Sequence, residues 1–165
     1  MTDRVDKKTR SKMMSAVRSK DTKIETLIRK CLFARGFRYR LHSQSLPGKP
    51  DIVFPKYSAV TFIHGCFWHL HGCARSTVPD SRREWWLKKL QDNKIRDGKN
   101  LEKLQLNGWR VLIVWECSVR RTGMKRDEAL ATVCQRAAEF LQSDREFLEI
   151  SGPLPNVVRK GRITV

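Results

Sequence analysis

Long hydrophobic runs are missing from this sequence. The longest strongly apolar segment is Val111-Leu112-Ile113-Val114-Trp115, whereas a membrane-spanning helix needs ~20 such residues. The first residues, Met1-Thr2-Asp3-Arg4, lack the apolar core of a secretory signal peptide. We therefore expect a soluble, cytoplasmic protein with no membrane partner.

Acidic residues are also scarce, with 17 Asp and Glu against 34 Lys and Arg, which gives a formal net charge of +17. Such an excess favours a polyanionic partner, because each Lys or Arg near a phosphate releases condensed counterions. Nucleic acid is the leading candidate, and an anionic membrane surface is the alternative.

No internal repeat or low-complexity linker divides the chain of 165 residues, a length that fits one domain with a buried core. Hydrophobic residues make up 40% of it, which is enough for the chain to fold. We therefore predict a single domain over residues 1–165, with a basic N-terminal arm at 1–20 and a basic tail at 152–165.

The spacing of apolar residues predicts alternating helices and strands. A helix capped by Asp21 or Thr22 should end near Gly36. Ser81-Arg82-Arg83-Glu84 is a capping box that should open a long helix ending at Asn107-Gly108. The other predicted elements are strands at Phe37 to Leu41, Asp51 to Phe54, Ser58 to His64 and Arg110 to Trp115, and a helix at Asp127 to Gln142. This order predicts an α/β fold with a mixed central sheet flanked by helices.

The cysteines number five, and an odd count without a secretory signal makes disulfides unexpected and metal binding the better interpretation of a cluster. Cys66, His69, His71 and Cys73 lie within eight residues, and Cys117 follows an apolar strand. The three cysteines with either His69 or His71 would complete a tetrahedral structural zinc site. Cys31 and Cys134 lie instead on apolar helix faces. The alternative is that Cys66 and Cys117 are ordinary small buried residues.

Asp51 stands at the start of an apolar strand, directly after Gly48-Lys49-Pro50. A carboxylate there can project from the sheet edge toward a hard cation such as Mg²⁺. Pro50-Asp51 matches the first half of the PD-(D/E)xK nuclease motif, but Phe62-Ile63-His64 occupies the place of the acid-x-Lys half. A lone Pro-Asp more often marks only a turn.

Several segments together resemble the very short patch repair (Vsr) endonucleases. They are Leu46-Pro47-Gly48-Lys49-Pro50-Asp51, His64-Gly65-Cys66-Phe67-Trp68-His69 and Gly108-Trp109-Arg110-Val111-Leu112-Ile113-Val114-Trp115-Glu116-Cys117, joined by Asp6-Lys7, Thr9-Arg10-Ser11-Lys12-Met13-Met14 and Asp21-Thr22. The resemblance implies a restriction-endonuclease-like core of the PD-(D/E)xK type in which a Phe-x-His pattern replaces acid-x-Lys. It also implies Mg²⁺-dependent nicking of double-stranded DNA, 5′ of the thymine in a T:G mismatch left by deamination of 5-methylcytosine.

The resemblance also implies a role for each site residue. Asp51 and the backbone carbonyl of Ile63 would bind Mg²⁺, and His69 would be the general base for the attacking water. His64 would lie by the scissile phosphate, and Glu25 would support a histidine. The implied ligands of a structural Zn²⁺ are Cys66, His71, Cys73 and Cys117. A neutral imidazole with a pKa near ~6.5 can take a proton from water at neutral pH, which suits this chemistry.

Aromatic pairs stand among basic residues at Phe67-Trp68 and Trp85-Trp86, and aromatic residues usually belong to the core. The resemblance makes Phe67, Trp68 and Trp86 a wedge that enters the base stack beside the mismatch, where unstacking costs less than in paired DNA. Lys89 and Asn93 follow Trp86 at helical spacing and would reach base edges. The basic arm with Met14 would clamp from the minor-groove side. We expect Trp85 and Trp109 in the core.

The partners expected beyond DNA are mismatch-repair proteins and a DNA polymerase downstream, and a cytosine-5 DNA methyltransferase by functional link. We expect the protein itself to be a monomer. One alternative is a zinc-stabilised DNA- or RNA-binding module without catalysis, which would leave Asp51, His64 and His69 without a role. The other is a less selective nuclease built on the same core.

Overall fold

Helices and strands alternate along the chain in this computed structural model, which describes residues 6, 8, 9, 12, 21–120 and 125–152. The helices are α1 (Lys23–Ala34), α2 (Arg83–Leu106), the short α3 (Glu116–Val119) and α4 (Arg126–Gln142). The strands are β1 (Arg40–Leu41), β2 (Ile52–Phe54), β3 (Ala59–His64), β4 (Arg110–Trp115) and β5 (Phe147–Ile150). The predicted α/β class is confirmed. The predicted arm and tail fall almost entirely outside the described residues, and Met14 does too.

The five strands form one mixed sheet in the order β1-β2-β3-β4-β5. The pairs β1–β2 and β2–β3 are antiparallel, whereas β3–β4 and β4–β5 are parallel. The β3–β4 register runs from Ala59↔Arg110 to His64↔Trp115. Because parallel strands end at the same edge, His64 and Trp115 lie side by side where the Cys/His segment begins. The prediction of a mixed central sheet flanked by helices is confirmed.

β4 is a buried interior strand of the sheet, and its residues alternate between two cores. Leu112 and Val114 face the core that α1 and α4 cover. Val111, Ile113 and Trp115 face the second core, which includes Leu104 of α2 and the cysteines at positions 66, 73 and 117. A central parallel strand covered on both faces needs apolar residues at every position, which explains the continuous apolar run in this segment. Within the described residues, no helix combines the length and apolarity that a bilayer crossing requires.

Three details of secondary structure differ from the sequence-based prediction. The first strand is limited to the two residues of β1, and the short edge strand β5 was not predicted at all. The capping box is also wrong, because α2 begins at Arg83 with Arg82 as its N-cap residue. Arg82 has a left-handed φ of 53° and makes no side-chain capping bond. The helix ends at Leu106 with Asn107 as its C-cap residue, which agrees with the end predicted at Asn107-Gly108.

Cys31 of α1 and Cys134 of α4 are joined as a disulfide, with their Cα atoms 6.4 Å apart. The expectation that the chain lacks disulfides is therefore wrong for this pair. The two helices pack against each other over the first core, and this packing brings together cysteines that are 103 residues apart in the sequence. Cys66, Cys73 and Cys117 remain free thiols.

Candidate active site and metal centre

Asp51 directly precedes β2 and turns its side chain toward β3. Its Oδ2 accepts a hydrogen bond of 2.7 Å from the N–H of Ile63. The N–H and C=O of one strand residue point to the same side, so the Ile63 carbonyl faces the same edge as Asp51. Burial raises the pKa of Asp51 to about 6, although the Ile63 hydrogen bond works against it. A buried carboxylate beside a backbone carbonyl is an oxygen donor set that fits a hard cation such as Mg²⁺.

The loop before Asp51 is held close to the sheet by a glycine. Gly48 has a φ of 73°, and a Cβ there would come within 3.1 Å of both the Phe62 ring and the Asn100 side chain. A side chain at this position would therefore be strained and would also push the loop outward. Phe62 packs beneath this loop. Its ring serves to support the segment that carries Asp51.

Glu25 lies in a group of charged residues near Asp51. Its side chain is 3% exposed and accepts hydrogen bonds from Arg29 Nη2 at 2.8 Å and from the N–H of Asp21 at 2.9 Å. The histidine in this group is His42, whose Nε2 lies 3.2 Å from Arg29 Nη2 and 3.3 Å from Asp21 Oδ1. The charge of Glu25 acts on Asp51 and raises its pKa further. Sequence reasoning had not singled out His42 or Arg29.

His64 and His69 stack on each other, with their ring centroids 3.8 Å apart. The Nδ1 of His69 pairs with Asp97 Oδ2 at 2.5 Å. A carboxylate on Nδ1 fixes the tautomer that leaves Nε2 free to accept a proton. Burial and the charge of His69 lower the pKa of His64 to about 3, so this ring stays neutral. Burial raises the pKa of Asp97, but its hydrogen bond to His69 and the charge of His69 outweigh that effect and leave it lowered.

Asp97 is a site residue that the sequence analysis missed. It lies on α2, 28 residues after His69. Nothing in the spacing indicates which carboxylate of this highly charged helix faces the histidines. Only the packing of α2 over the Cys/His segment brings Asp97 to His69.

The ligand atoms of Cys66, His71, Cys73 and Cys117 all lie within 4.8 Å of one another. His69 is paired elsewhere, so the structure separates the two histidines that spacing alone could not distinguish. Within the cluster, Cys117 Sγ lies 3.5 Å from His71 Nδ1. Three sulfurs and one imidazole nitrogen are the donor set of a structural zinc site. Burial raises the pKa of the Cys66 thiol, and a cation in the cluster would favour its thiolate.

Trp115 stands between this cluster and the stacked histidines. Its ring stacks on His71 with centroids 4.2 Å apart, and it meets His64 edge-on at 5.2 Å. Because Trp115 ends β4 and its indole is 7% exposed, it is fixed by the sheet and the second core. The Trp115 ring therefore fixes the distance between the Cys/His cluster and the stacked pair of His64 and His69.

Phe67, Trp68 and Trp86 come together as one aromatic group, with centroid distances of 5.1, 5.3 and 6.1 Å. Lys89 places its Nζ 5.7 Å from the Trp86 ring and 4.9 Å from Trp85. Trp85 is 45% exposed, so the expectation of a core position is wrong. Its ring contacts Trp86 and the cationic side chains of Arg82 and Lys89.

Asn93 and Trp109 complete the predicted residues. The side-chain amide of Asn93 donates a 3.2 Å hydrogen bond to the Trp68 carbonyl and so ties α2 to the aromatic loop. Trp109 packs against the second core and is partly buried, as expected. The predicted DNA-contacting residues of the described chain therefore occupy one face, built from the Cys/His segment and α2.

Comparison with known proteins identifies the family. The family model described as DNA mismatch endonuclease Vsr matches residues 2–75. The chain is 48% identical over 130 residues to the DNA mismatch endonuclease Vsr of Escherichia coli. The matched segment covers 79% of this chain and 83% of that protein. It is 46% identical over 123 residues to the type II nicking enzyme V.XorIIP of Xanthomonas oryzae, covering 74% of this chain and 90% of that protein. The chain belongs to the Vsr endonuclease family.

The Vsr resemblance predicted from sequence is thus confirmed. A further relative, the type II nicking enzyme V.NmeAIP of Neisseria meningitidis, is 45% identical over 127 residues and is matched over 91% of its length. The protein is accordingly an endonuclease of very short patch mismatch repair that acts on DNA. Its mixed sheet flanked by helices is consistent with the Vsr nuclease fold.

Proposed function

We propose that this Vsr endonuclease nicks double-stranded DNA 5′ of the thymine in a T:G mismatch, in a Mg²⁺-dependent reaction that starts very short patch repair. The observation that carries the proposal is the juxtaposition of three groups at one sheet edge. Asp51 bonds to Ile63, His64 is the next residue, and His64 stacks on the His69–Asp97 pair. A carboxylate for a cation thus adjoins an oriented general base, on a restriction-endonuclease-like core.

Hydrolysis of the phosphodiester needs an activated water and a neutralised phosphate. Asp97 accepts the Nδ1–H of His69, so the Nε2 lone pair of His69 takes the proton from water. His64, neutral through burial, lies by the scissile phosphate and supplies an N–H donor. Asp51 and the Ile63 carbonyl would hold Mg²⁺, which when bound neutralises phosphate charge and polarises water. Glu25, with the hydrogen bonds of its Arg29 and Asp21 partners, would support His42 at this edge.

A structural Zn²⁺ is the second metal that we propose. Its ligands would be Cys66, His71, Cys73 and Cys117. Four protein ligands leave no open coordination position, so this site takes no part in the chemistry. The Cys/His segment is irregular and supports two functional groups of side chains. A metal would fix it to the end of β4 through Cys117.

Mismatch recognition would use the aromatic group. Phe67 and Trp68 are half-buried and supported by Trp86, and we propose that the three enter the base stack beside the mismatch. Unstacking costs a few kcal/mol per step and less at a mismatch, which favours T:G over paired DNA. Lys89 and Asn93 lie on the same face of α2 and would contact base edges.

The proposal extends to the domain organisation and to the partners of the protein. We expect one domain over residues 1–165 that acts as a cytoplasmic monomer, with the basic arm and Met14 clamping DNA from the minor-groove side. A deaminated 5-methylcytosine implies a cytosine-5 DNA methyltransferase upstream. Mismatch-repair proteins and a DNA polymerase would act downstream of the nick.

The test compares two duplexes of identical sequence, one with T:G and one with T:A at the same position. Nicking should require Mg²⁺, occur on the thymine strand and be confined to the T:G duplex. Asp51→Asn should bind the T:G duplex without cutting it. Binding without any nick by the unaltered protein would identify a DNA-binding module instead. Equal cutting of both duplexes would identify a less selective nuclease.

A further inference from the structure

The strand β5 ends beside the Cys/His cluster. Its parallel register with β4 pairs Val114 with Ile150, so the two residues after Ile150 run alongside the start of α3. There the N–H of Gly152 donates a hydrogen bond of 3.3 Å to the Sγ of Cys117. This bond links residues 35 positions apart and is buried. Gly152 is thus the residue through which the last strand reaches the cluster.

Position 152 has no room for a side chain. A Cβ on Gly152 would lie 2.6 Å from the Cys117 carbonyl oxygen and 3.1 Å from its carbonyl carbon. Both are backbone atoms of α3 and cannot move aside as a side-chain tip can. Any other residue would therefore push the 152 backbone away from Cys117, and the N–H···S bond would be lost.

We infer that Gly152 is a positioning residue for the metal cluster, whose backbone N–H holds the Cys117 sulfur as a thiolate ligand in place. The inference rests on the structural zinc proposed above. A donor on a thiolate spreads its negative charge and fixes the direction of its lone pairs.

Gly152 would belong to the metal site without being a ligand, because it binds the sulfur of a ligand. Cys66, His71 and Cys73 come from one segment, and Cys117 follows β4. The N–H of Gly152 adds a contact from β5 at the far edge of the sheet. Loss of this hydrogen bond should weaken metal binding while the sheet stays folded.

The first experiment uses the unaltered chain, purified with its zinc and then exchanged to cadmium-113. The amide proton of Gly152, observed with ¹⁵N-glycine labelling, should show a coupling to cadmium-113 through the N–H···S bond. A metal-loaded protein whose Gly152 amide shows no coupling would overturn the inference and leave the zinc site standing. A protein that binds no stoichiometric metal would overturn both.

The second experiment measures zinc release to a chromogenic chelator. Gly152→Ala should release zinc about tenfold faster, in the range seen when outer partners of metal ligands are lost. Gly98→Ala is the matched control, because a Cβ there meets nothing within 4 Å. Val133→Ala, in the first core on the other face of the sheet, controls for simple loss of stability. Release by Gly152→Ala that only equals that of Val133→Ala would contradict the inference.

Discussion

The imidazole rings of His64 and His69 lie parallel, with 3.8 Å between centroids and an interplanar angle of 1°. Two positive charges at such a distance repel by about 4 kcal/mol at an effective dielectric constant near 20. The stacked pair therefore carries at most one positive charge at a time. Burial keeps His64 neutral, and Asp97 pairs with the Nδ1 of His69, so the proton taken from water belongs to His69.

Asp97→Asn should reduce the nicking rate by roughly 10²–10⁴-fold, the usual contribution of a positioned acid–base group. An asparagine cannot accept the Nδ1–H as strongly and can reverse the tautomer of His69, which would block Nε2. The measurement is single-turnover cleavage of a labelled T:G duplex.

Asp92→Asn is the control for Asp97→Asn, because Asp92 is exposed on the same helix and the substitution removes the same charge. Its rate should equal that of the unaltered enzyme. If Asp97→Asn nicked as fast as this control, the proposed orientation of His69 would be wrong.

The Mg²⁺ requirement should depend on pH through Asp51. Because its folded pKa is raised to about 6, a proton competes with the metal below that pH and not above it. The Mg²⁺ concentration for half-maximal nicking should therefore rise about tenfold per pH unit below 6. A requirement that stays constant down to pH 5 would contradict metal binding by Asp51.

Asp51→Asn should stabilise the metal-free protein while abolishing nicking. The folded pKa of Asp51 lies above the ordinary 3.8, so its ionisation opposes folding. This penalty is absent below pH 3.8 and complete above about 6. Thermal unfolding without Mg²⁺ should show a higher Tm for the variant at roughly pH 7, and a smaller difference at lower pH. A lower Tm at neutral pH would contradict the assigned penalty.

Phe67→Ala should weaken binding to T:G DNA more than to paired DNA. Stacking of an aromatic side chain on a base contributes about 1–3 kcal/mol, so affinity for the mismatch should fall roughly 5- to 150-fold. Fluorescence anisotropy with both duplexes at one salt concentration measures the difference. Phe33→Ala, which removes a 53% exposed phenylalanine of α1, should change neither affinity. Equal losses on both duplexes would mean that Phe67 does not recognise the mismatch.

Cys73→Ser should lower the zinc content and the Tm together, because the metal is bound only by the folded chain. Metal content per protein and thermal unfolding with and without a chelator provide the measurement. The double variant Cys31→Ser/Cys134→Ser removes two cysteines outside the cluster and should keep the metal. Full zinc content in Cys73→Ser would exclude Cys73 as a ligand.

Secondary structure was predicted best where the periodicity is long. α1, α4 and the end of α2 were predicted within one or two residues, and β4 was predicted at its observed bounds. β5 was missed because it is a four-residue edge strand whose pattern is half exposed. The position of β5 is determined by its pairing with β4, and no local sequence pattern reveals that pairing.

Site residues that belong to a sequence motif were predicted, whereas residues that join the site only through tertiary packing were missed. Asp51 and the Cys/His segment stand in recognisable runs of sequence. Asp97, His42 and Gly152 do not, because each meets its partner through the packing of a helix, a loop or an edge strand. The separate partners of His69 and His71 are likewise a matter of three-dimensional placement, since two residues of spacing cannot distinguish them.

The indole of Trp115 has a consequence for how loss of activity is interpreted. The Trp115 ring contacts both His71 and His64. Because the indole is rigid, a change in the orientation of one histidine would also shift the other. Damage to the cysteine cluster can therefore resemble damage to the catalytic base in an assay of rate alone. A flexible aliphatic side chain at position 115 would remove the rigid ring that contacts both sites.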